Sequence, residues 1–179
     1  MNLYKDFKEK KIYDLKNKFG LSNIFEVPRV DKIVISMWIW SLATRKWVKD
    51  FSDLISNMEV ISGQKPTVIK SKKSVSNFKL RDWMPVMLKV TLRREKAYDF
   101  LDRLSKLILP RVRDFEWLSS KKFDGNWNYN IWFQNQSVFP ELFPEDIKTP
   151  HWLQVNIVTT TTDDDKAKEL LKTLWIIFN

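Results

Sequence analysis

Between Gly63 and Arg94 the sequence places nine cationic side chains, Lys65, Lys70, Lys72, Lys73, Lys79, Arg81, Lys89, Arg93 and Arg94, against a single acid, Asp82. Groups of this kind do not shuttle protons at neutral pH. They neutralise phosphate, and an aromatic set among them, here Phe78, can lie against an unstacked base. A Lys/Ser-rich loop beside a strand with a basic face therefore suits a nucleic-acid backbone rather than a small-molecule pocket. A solvated basic loop with no partner is the plainer alternative.

Other chemistry is largely excluded. His151, beside Pro150, is the single histidine and cysteine is absent, so neither a His/Cys zinc site nor a thiolate nucleophile can be assembled. No phosphate-cradling GxxxxGK[ST], dinucleotide GxGxxG or nucleophile-elbow GxSxG occurs. Asp163, Asp164 and Asp165 could hold a hard cation and support a metal-dependent nuclease. Their position at the start of an apolar-periodic segment favours capping of a helix instead. No catalytic residue, metal site or cofactor is expected.

The elements that must position these groups come from a chain of 179 residues, 44% hydrophobic and 30% charged, a globular balance large enough for a real core. Absent cysteine fits a reducing compartment. No apolar run approaches the ~20 residues of a membrane span. Acids at Asp6, Glu9 and Asp14 argue against a transit peptide, so a soluble, cytoplasmic protein is expected. Residues 1–60 carry 11 basic and 8 acidic groups, residues 61–122 carry 16 and 6, and residues 123–179 carry 4 and 8. That gradient polarises the surface, with one part suited to an anion and another free for a different contact.

Leu3, Phe7, Ile12, Leu15 and Phe19 recur at roughly helical spacing and predict a helix over 1–20 ending at Gly20. Its lysines read as a solvated face or as phosphate contacts. Ile33, Ile35 and Met37 alternate with Lys32, Val34 and Ser36 as in a strand. Val48, Phe51, Leu54, Ile55 and Met58 predict a second helix closed by Ser62-Gly63. Thr67 to Ile69 is a short strand entering the loop, and Val86, Leu88, Val90 and Leu92 alternate with Met87, Lys89, Thr91 and Arg93 in the strand leaving it. A third helix over Glu95 to Leu109 buries Ala97, Phe100, Leu101, Leu104, Leu107 and Ile108 and stops at Pro110. Arg111 and Arg113 follow on irregular chain, either as phosphate contacts or as surface cations. Strands around Tyr129–Phe133 and Leu153–Thr159 and a helix through Ala167, Leu170, Leu171 and Leu174 complete the chain. Without regular βαβ alternation this predicts one α+β domain over 1–179. Its mostly antiparallel sheet carries helices on one face in two layers, with a basic loop, about 70–84, projecting from it.

The ordered motifs VPRVDKIVISM, ISGQKP, KSKKSVSNFKLR, KVTLRREKAYDFLDRL, LPRVRDF, LSSKKFDGNWNY, the FPE segment and the terminal TTTTDDDKAKELL cover nearly the full chain. Together they resemble the L-five family of large-subunit ribosomal proteins. The resemblance implies a non-catalytic component of the central protuberance that anchors 5S rRNA, touches 23S rRNA and meets neighbouring protuberance proteins. It implies that Arg29, Lys32, Ser36, Gln64, Lys65, Lys89, Thr91, Arg93 and Arg94 face rRNA. The loop cations Lys70, Lys72, Lys73, Lys79 and Arg81, with Phe78, would approach P-site tRNA, while another surface would contact the small-subunit head protein S-thirteen. The family commonly has Asn where Ser36 stands, and Gly where Asn77 stands; Asn tolerates a left-handed turn there. A nucleic-acid-processing enzyme built on the acidic cluster and a free tRNA-binding factor are the alternatives.

Nine tryptophans against three glycines is an unusual balance, since glycine ordinarily makes up about 7% of residues. Trp38, Trp40, Trp83, Trp117, Trp127, Trp132, Trp152 and Trp175 stand where the resembled family carries glycine; Trp47 lies on an apolar helical stripe. Glycine serves positive φ or close backbone approach, which an indole does not. The expectation is that UGA codons meaning glycine in the source have been translated as tryptophan. The alternative is a divergent protein that uses the rings to stack on bases.

Overall fold

Phe7 and Ile12 lie five residues apart, too far for one face of a regular helix, where neighbours are three or four apart. The computed structural model describes residues 3–45, 50–112, 123–143, 145, 147–161, 163–176 and 178. In it, helix α1 (Leu3–Asp6) passes through a π-helical turn, Phe7–Lys11, into α2 (Ile12–Phe19). The wider turn absorbs the extra residue, so Leu3, Phe7, Ile12 and Leu15 are all buried. Gly20, at φ 63°, ends the helix as expected. Deleting Lys10 should let the segment run as a regular α-helix with Phe7 and Ile12 four apart, so that Leu3, Phe7, Ile12 and Leu15 stay on the buried face. Urea unfolding is then expected to show a change of no more than about 1 kcal/mol.

The device recurs in α5 (Glu95–Arg103), which continues through a π-helical turn, Leu104–Ile108, into the 3-10 turn Leu109–Arg111. Ala97, Phe100, Leu101, Leu104 and Ile108 are buried as predicted, but Leu107 is 51% exposed and Leu109 is buried instead. The wider turn advances the register, which regular helical spacing misplaces by one residue. Between these helices lie α3 (Trp40–Arg45), which periodicity did not reveal, and α4 (Ser52–Ser62). Asp50 accepts the Ser52 N–H at 2.9 Å, and Gly63, at φ 64°, ends α4. Val48 of the predicted stripe lies outside the described residues.

Strands β1 (Val30–Trp38), β2 (Thr67–Lys70), β3 (Pro85–Arg93), β4 (Tyr129–Phe133) and β5 (Leu153–Thr159) form one antiparallel sheet among the described residues, in the order β2-β3-β1-β5-β4. Thr67 pairs with Lys89 across β2 and β3. Alternation is clearest in β5, where Leu153, Val155, Ile157 and Thr159 are buried and Gln154, Asn156 and Val158 are half-buried. With the final helix α6 (Asp164–Thr173), the class is α+β.

The chain divides into two compact units, one of Met1–Ile33, Leu92–Ile131 and Asn156–Asn179, the other of Val34–Thr91 and Trp132–Val155. In the first, the Tyr98 ring lies 5.4 Å from that of Tyr4 and 5.2 Å from that of Phe7, and its phenolic oxygen accepts the Val30 N–H at 3.3 Å. Lys11 donates to the Thr173 carbonyl at 2.8 Å, and Thr160 N–H donates to the Arg29 carbonyl at 3.0 Å. Tyr129 packs edge-on against Phe123 and Phe178. In the second, Ile39 N–H donates to the Val86 carbonyl at 2.8 Å, Lys148 pairs with Asp53 at 2.9 Å, and the Gln136 amide donates to the Thr149 carbonyl.

Candidate nucleic-acid interface

Two sets of backbone hydrogen bonds shape the loop between β2 and β3. At its base, Ser71 N–H donates to the Met84 carbonyl at 2.8 Å and Trp83 N–H to the Ser71 carbonyl at 3.0 Å. Towards the tip, Val75 and Leu80 exchange bonds of 3.0 and 3.1 Å around a 3-10 turn, Ser76–Phe78. The Ser71 hydroxyl donates to the Lys73 carbonyl and the Ser74 hydroxyl to the Leu80 carbonyl. The serines that mark this stretch in sequence thus stitch its backbone, while Lys70, Lys72, Lys73, Lys79 and Arg81 are exposed. The left-handed position is Lys79, at φ 53°; Asn77, where the sequence placed it, lies within the 3-10 turn.

Phe78 is 56% exposed, and its ring meets the edge of Trp40 at 6.0 Å. Beneath the hairpin a cleft of about 670 Å³ is lined by Ala43, Phe51, Leu80, Met84 and Pro85, with Lys79 and Arg81 also on its wall. Within the same unit Lys65 is exposed, and Gln64, Lys89 and Thr91 are half-buried. Lys89 and Thr91 occupy the face of β3 opposite the buried Leu88, Val90 and Leu92. Ser36 departs from expectation. At 4% exposure, between buried Ile35 and Met37, it presents no hydroxyl to the surface. Strand β1 has neighbours on both sides in the sheet, and alternation alone does not distinguish a covered polar position from an open one.

In the other unit the Arg29 guanidinium lies 5.5 Å from the Phe25 ring centroid, and Arg29 N–H donates to the Thr160 hydroxyl at 3.1 Å. Lys32 pairs with its neighbour Asp31 at 3.1 Å. Arg93 and Arg94 are exposed where β3 turns into α5. Arg94 has φ 52° and ψ −130°, a conformation costly for any residue with a Cβ. Neither the Phe25–Arg29 contact nor the Arg94 backbone was visible from residue spacing. Arg113, Trp47 and Trp117 lie outside the described residues.

The acidic cluster behaves as a helix start. Asp163, in extended conformation, accepts the Asp165 N–H at 3.0 Å and caps α6. Among the described residues no group of three His, Cys, Asp or Glu is arranged to hold a metal ion. Changing Asp163 to Ala is expected to cost about 1 kcal/mol of stability, read by thermal melting, with RNA affinity unchanged. His151 is buried, and its Nε2 meets the carbonyl of Trp38. That contact is structural.

Residues 23–81 match the family model for ribosomal protein L5, and residues 85–178 match the model for the C-terminus of the same ribosomal family. The large ribosomal subunit protein uL5 of Natranaerobius thermophilus is 44% identical over 165 residues, 92% of this chain and 91% of its own length. That of Francisella tularensis subsp. mediasiatica is 43% identical, covering 94% and 93%, and that of Clostridium tetani is 42% identical, covering 98% and 97%. The chain belongs to the uL5 family. Membership makes it a structural protein of the large ribosomal subunit, not an enzyme, and places it with the ribosomes of the bacterial cytoplasm. No described helix is long and apolar enough to cross a membrane. The two uL5 family models meet at the base of the basic hairpin, the first ending at Arg81 and the second beginning at Pro85.

Proposed function

We propose that this uL5-family chain, acting as one ribosomal-protein domain, binds 5S rRNA and anchors it in the central protuberance against 23S rRNA and neighbouring proteins. The observation that carries this reading is the cationic face of β3, where Lys89 and Arg93 alternate with the buried Leu88, Val90 and Leu92 and the exposed Arg94 follows. Arg29, Lys32, Gln64, Lys65, Lys89, Thr91, Arg93 and Arg94 serve rRNA. The cations neutralise phosphates, and Gln64 and Thr91 supply polar hydrogen-bonding groups. Ser36, being buried, supports the strand without reaching the RNA. The hairpin, through Lys70, Lys72, Lys73, Lys79 and Arg81 with Phe78, extends towards P-site tRNA. A separate surface meets the small-subunit head protein S-thirteen.

Titration with 5S rRNA across a range of salt tests the central claim. Tight binding that weakens steeply with salt is expected. Failure of the folded chain to bind 5S rRNA sinks it. Cosedimentation with 50S particles separates this role from that of a free tRNA-binding factor, which would remain in the supernatant.

A further inference from the structure

The three glycines, Gly20, Gly63 and Gly125, all have positive φ, between 63° and 74°. Among the other described residues five share that sign, and three of them are tryptophans: Trp83 at 65°, Trp127 at 61° and Trp175 at 70°. A left-handed conformation is uncommon for any residue with a Cβ and a genuine outlier for a bulky one. Tryptophan is among the last residues expected there, yet it outnumbers every other non-glycine type.

Two of the three sit where local hydrogen bonding defines a glycine position, and the third lies in a tight loop. At the end of α2, Gly20 N–H donates to the Asn17 carbonyl and Leu21 N–H to that of Lys16. At the end of α6, Trp175 N–H donates to the Lys172 carbonyl and Ile176 N–H to that of Leu171. The spacings are identical, and both are the paired bonds of a helix terminus whose left-handed residue is ordinarily glycine. At the hairpin base Met84 N–H donates to the Arg81 carbonyl at 3.3 Å, which makes Trp83 the third residue of a β-turn with positive φ. That position calls for glycine or asparagine. Trp127 lies in the loop closed by Asp124, whose carboxylate accepts the N–H groups of Asn126 and Asn128.

The side chains gain little burial in return, although the Lys11 ammonium lies 4.9 Å from the Trp175 ring centroid. Trp83 is 77% exposed and Trp175 is 60% exposed, for a residue type that is highly buried on average. Trp38, Trp132 and Trp152 are also exposed, at 42 to 56%.

We infer that the natural polypeptide carries glycine at positions 83, 127 and 175, because the source reads UGA as glycine where the written sequence reads it as tryptophan. The exposed Trp38, Trp132 and Trp152 share that origin. Two measurements test the inference. Peptide mass spectrometry of the protein purified from its own ribosomes should find glycine at positions 83, 127 and 175, each peptide lighter than the written sequence requires. Tryptophan at any one of these three overturns the inference. In the second measurement, the chain as written is compared with the triple variant Trp83→Gly, Trp127→Gly, Trp175→Gly by thermal unfolding. Relief of left-handed strain should raise the midpoint by roughly 2–4 °C per position. An equal or lower midpoint removes the strain argument on which the inference stands.

Discussion

Changing Lys65, Lys89, Arg93 and Arg94 together to glutamine is expected to flatten the salt dependence of 5S rRNA binding. Each phosphate contact contributes about 0.7–0.9 to the slope of log affinity against log salt, so the slope should fall by about 3. Affinity at low salt should fall by orders of magnitude, while the fold survives, because Lys65, Arg93 and Arg94 are exposed and Lys89 is half-buried. The comparison variant alters the hairpin: Lys70, Lys72, Lys73, Lys79 and Arg81 to glutamine. If the hairpin serves tRNA, that variant should keep 5S rRNA affinity within a few-fold and show its defect only in ribosomes carrying P-site tRNA. Loss of 5S rRNA binding in the hairpin variant alone would reverse the assignment of the two surfaces. A filter-binding series across several salt concentrations is sufficient to tell.

The second large effect concerns stability. Tyr98 is 2% exposed, packs on two aromatic rings of the N-terminal helix segment, and satisfies the Val30 N–H at the start of β1. Tyr98→Ala should cost about 3–5 kcal/mol through the cavity and the orphaned donor. Tyr98→Phe keeps the ring and removes the acceptor alone, and should cost about 1–3 kcal/mol. The same residue makes the fold sensitive to alkali. Burial pushes its phenol up to about 12, against the smaller opposing pull of the Val30 hydrogen bond, and burial does the same to Tyr129. The folded state therefore favours the neutral phenols. Their stabilisation is fully present below pH ~10, the value in an unfolded chain, and is lost as pH rises through about 12. Urea midpoints should hold steady to about pH 9 and fall above about pH 10, with the fall shallower in Tyr98→Phe.

The amphipathic segments explain why much of this fold can be read without coordinates. Strict alternation from Val86 to Arg93 marks β3, and helical spacing with a terminal glycine marks both α2 and α4. The exceptions fall where a local rule meets a departure from regular geometry. Spacing puts Leu107 in the core because it assumes 3.6 residues per turn, which the π-helical turn after Arg103 does not keep. Alternation puts Ser36 on a second face without saying whether that face is covered. Residue type favours Asn77 for the left-handed conformation, whereas the Val75–Leu80 bonds assign it to Lys79. Charge concentration locates the hairpin cations well, since exposure of lysine and arginine needs no long-range information. The Arg94 strain and the α3 helix carry no periodic or capping pattern of the kind that marks the other elements.

Ordering a free chain segment on association costs about 1–2 kcal/mol of entropy per residue. The crosslinks at Ser71–Met84 and Val75–Leu80 move much of that cost from the encounter to the folding of the protein. A ligand of the proposed kind would meet the hairpin preassembled. Capture is then governed by diffusion and the attraction of opposite charge, so salt should act on the rate of arrival as well as on the lifetime of the complex. If the hairpin serves tRNA as proposed, each arriving tRNA meets a probe that does not have to fold against it.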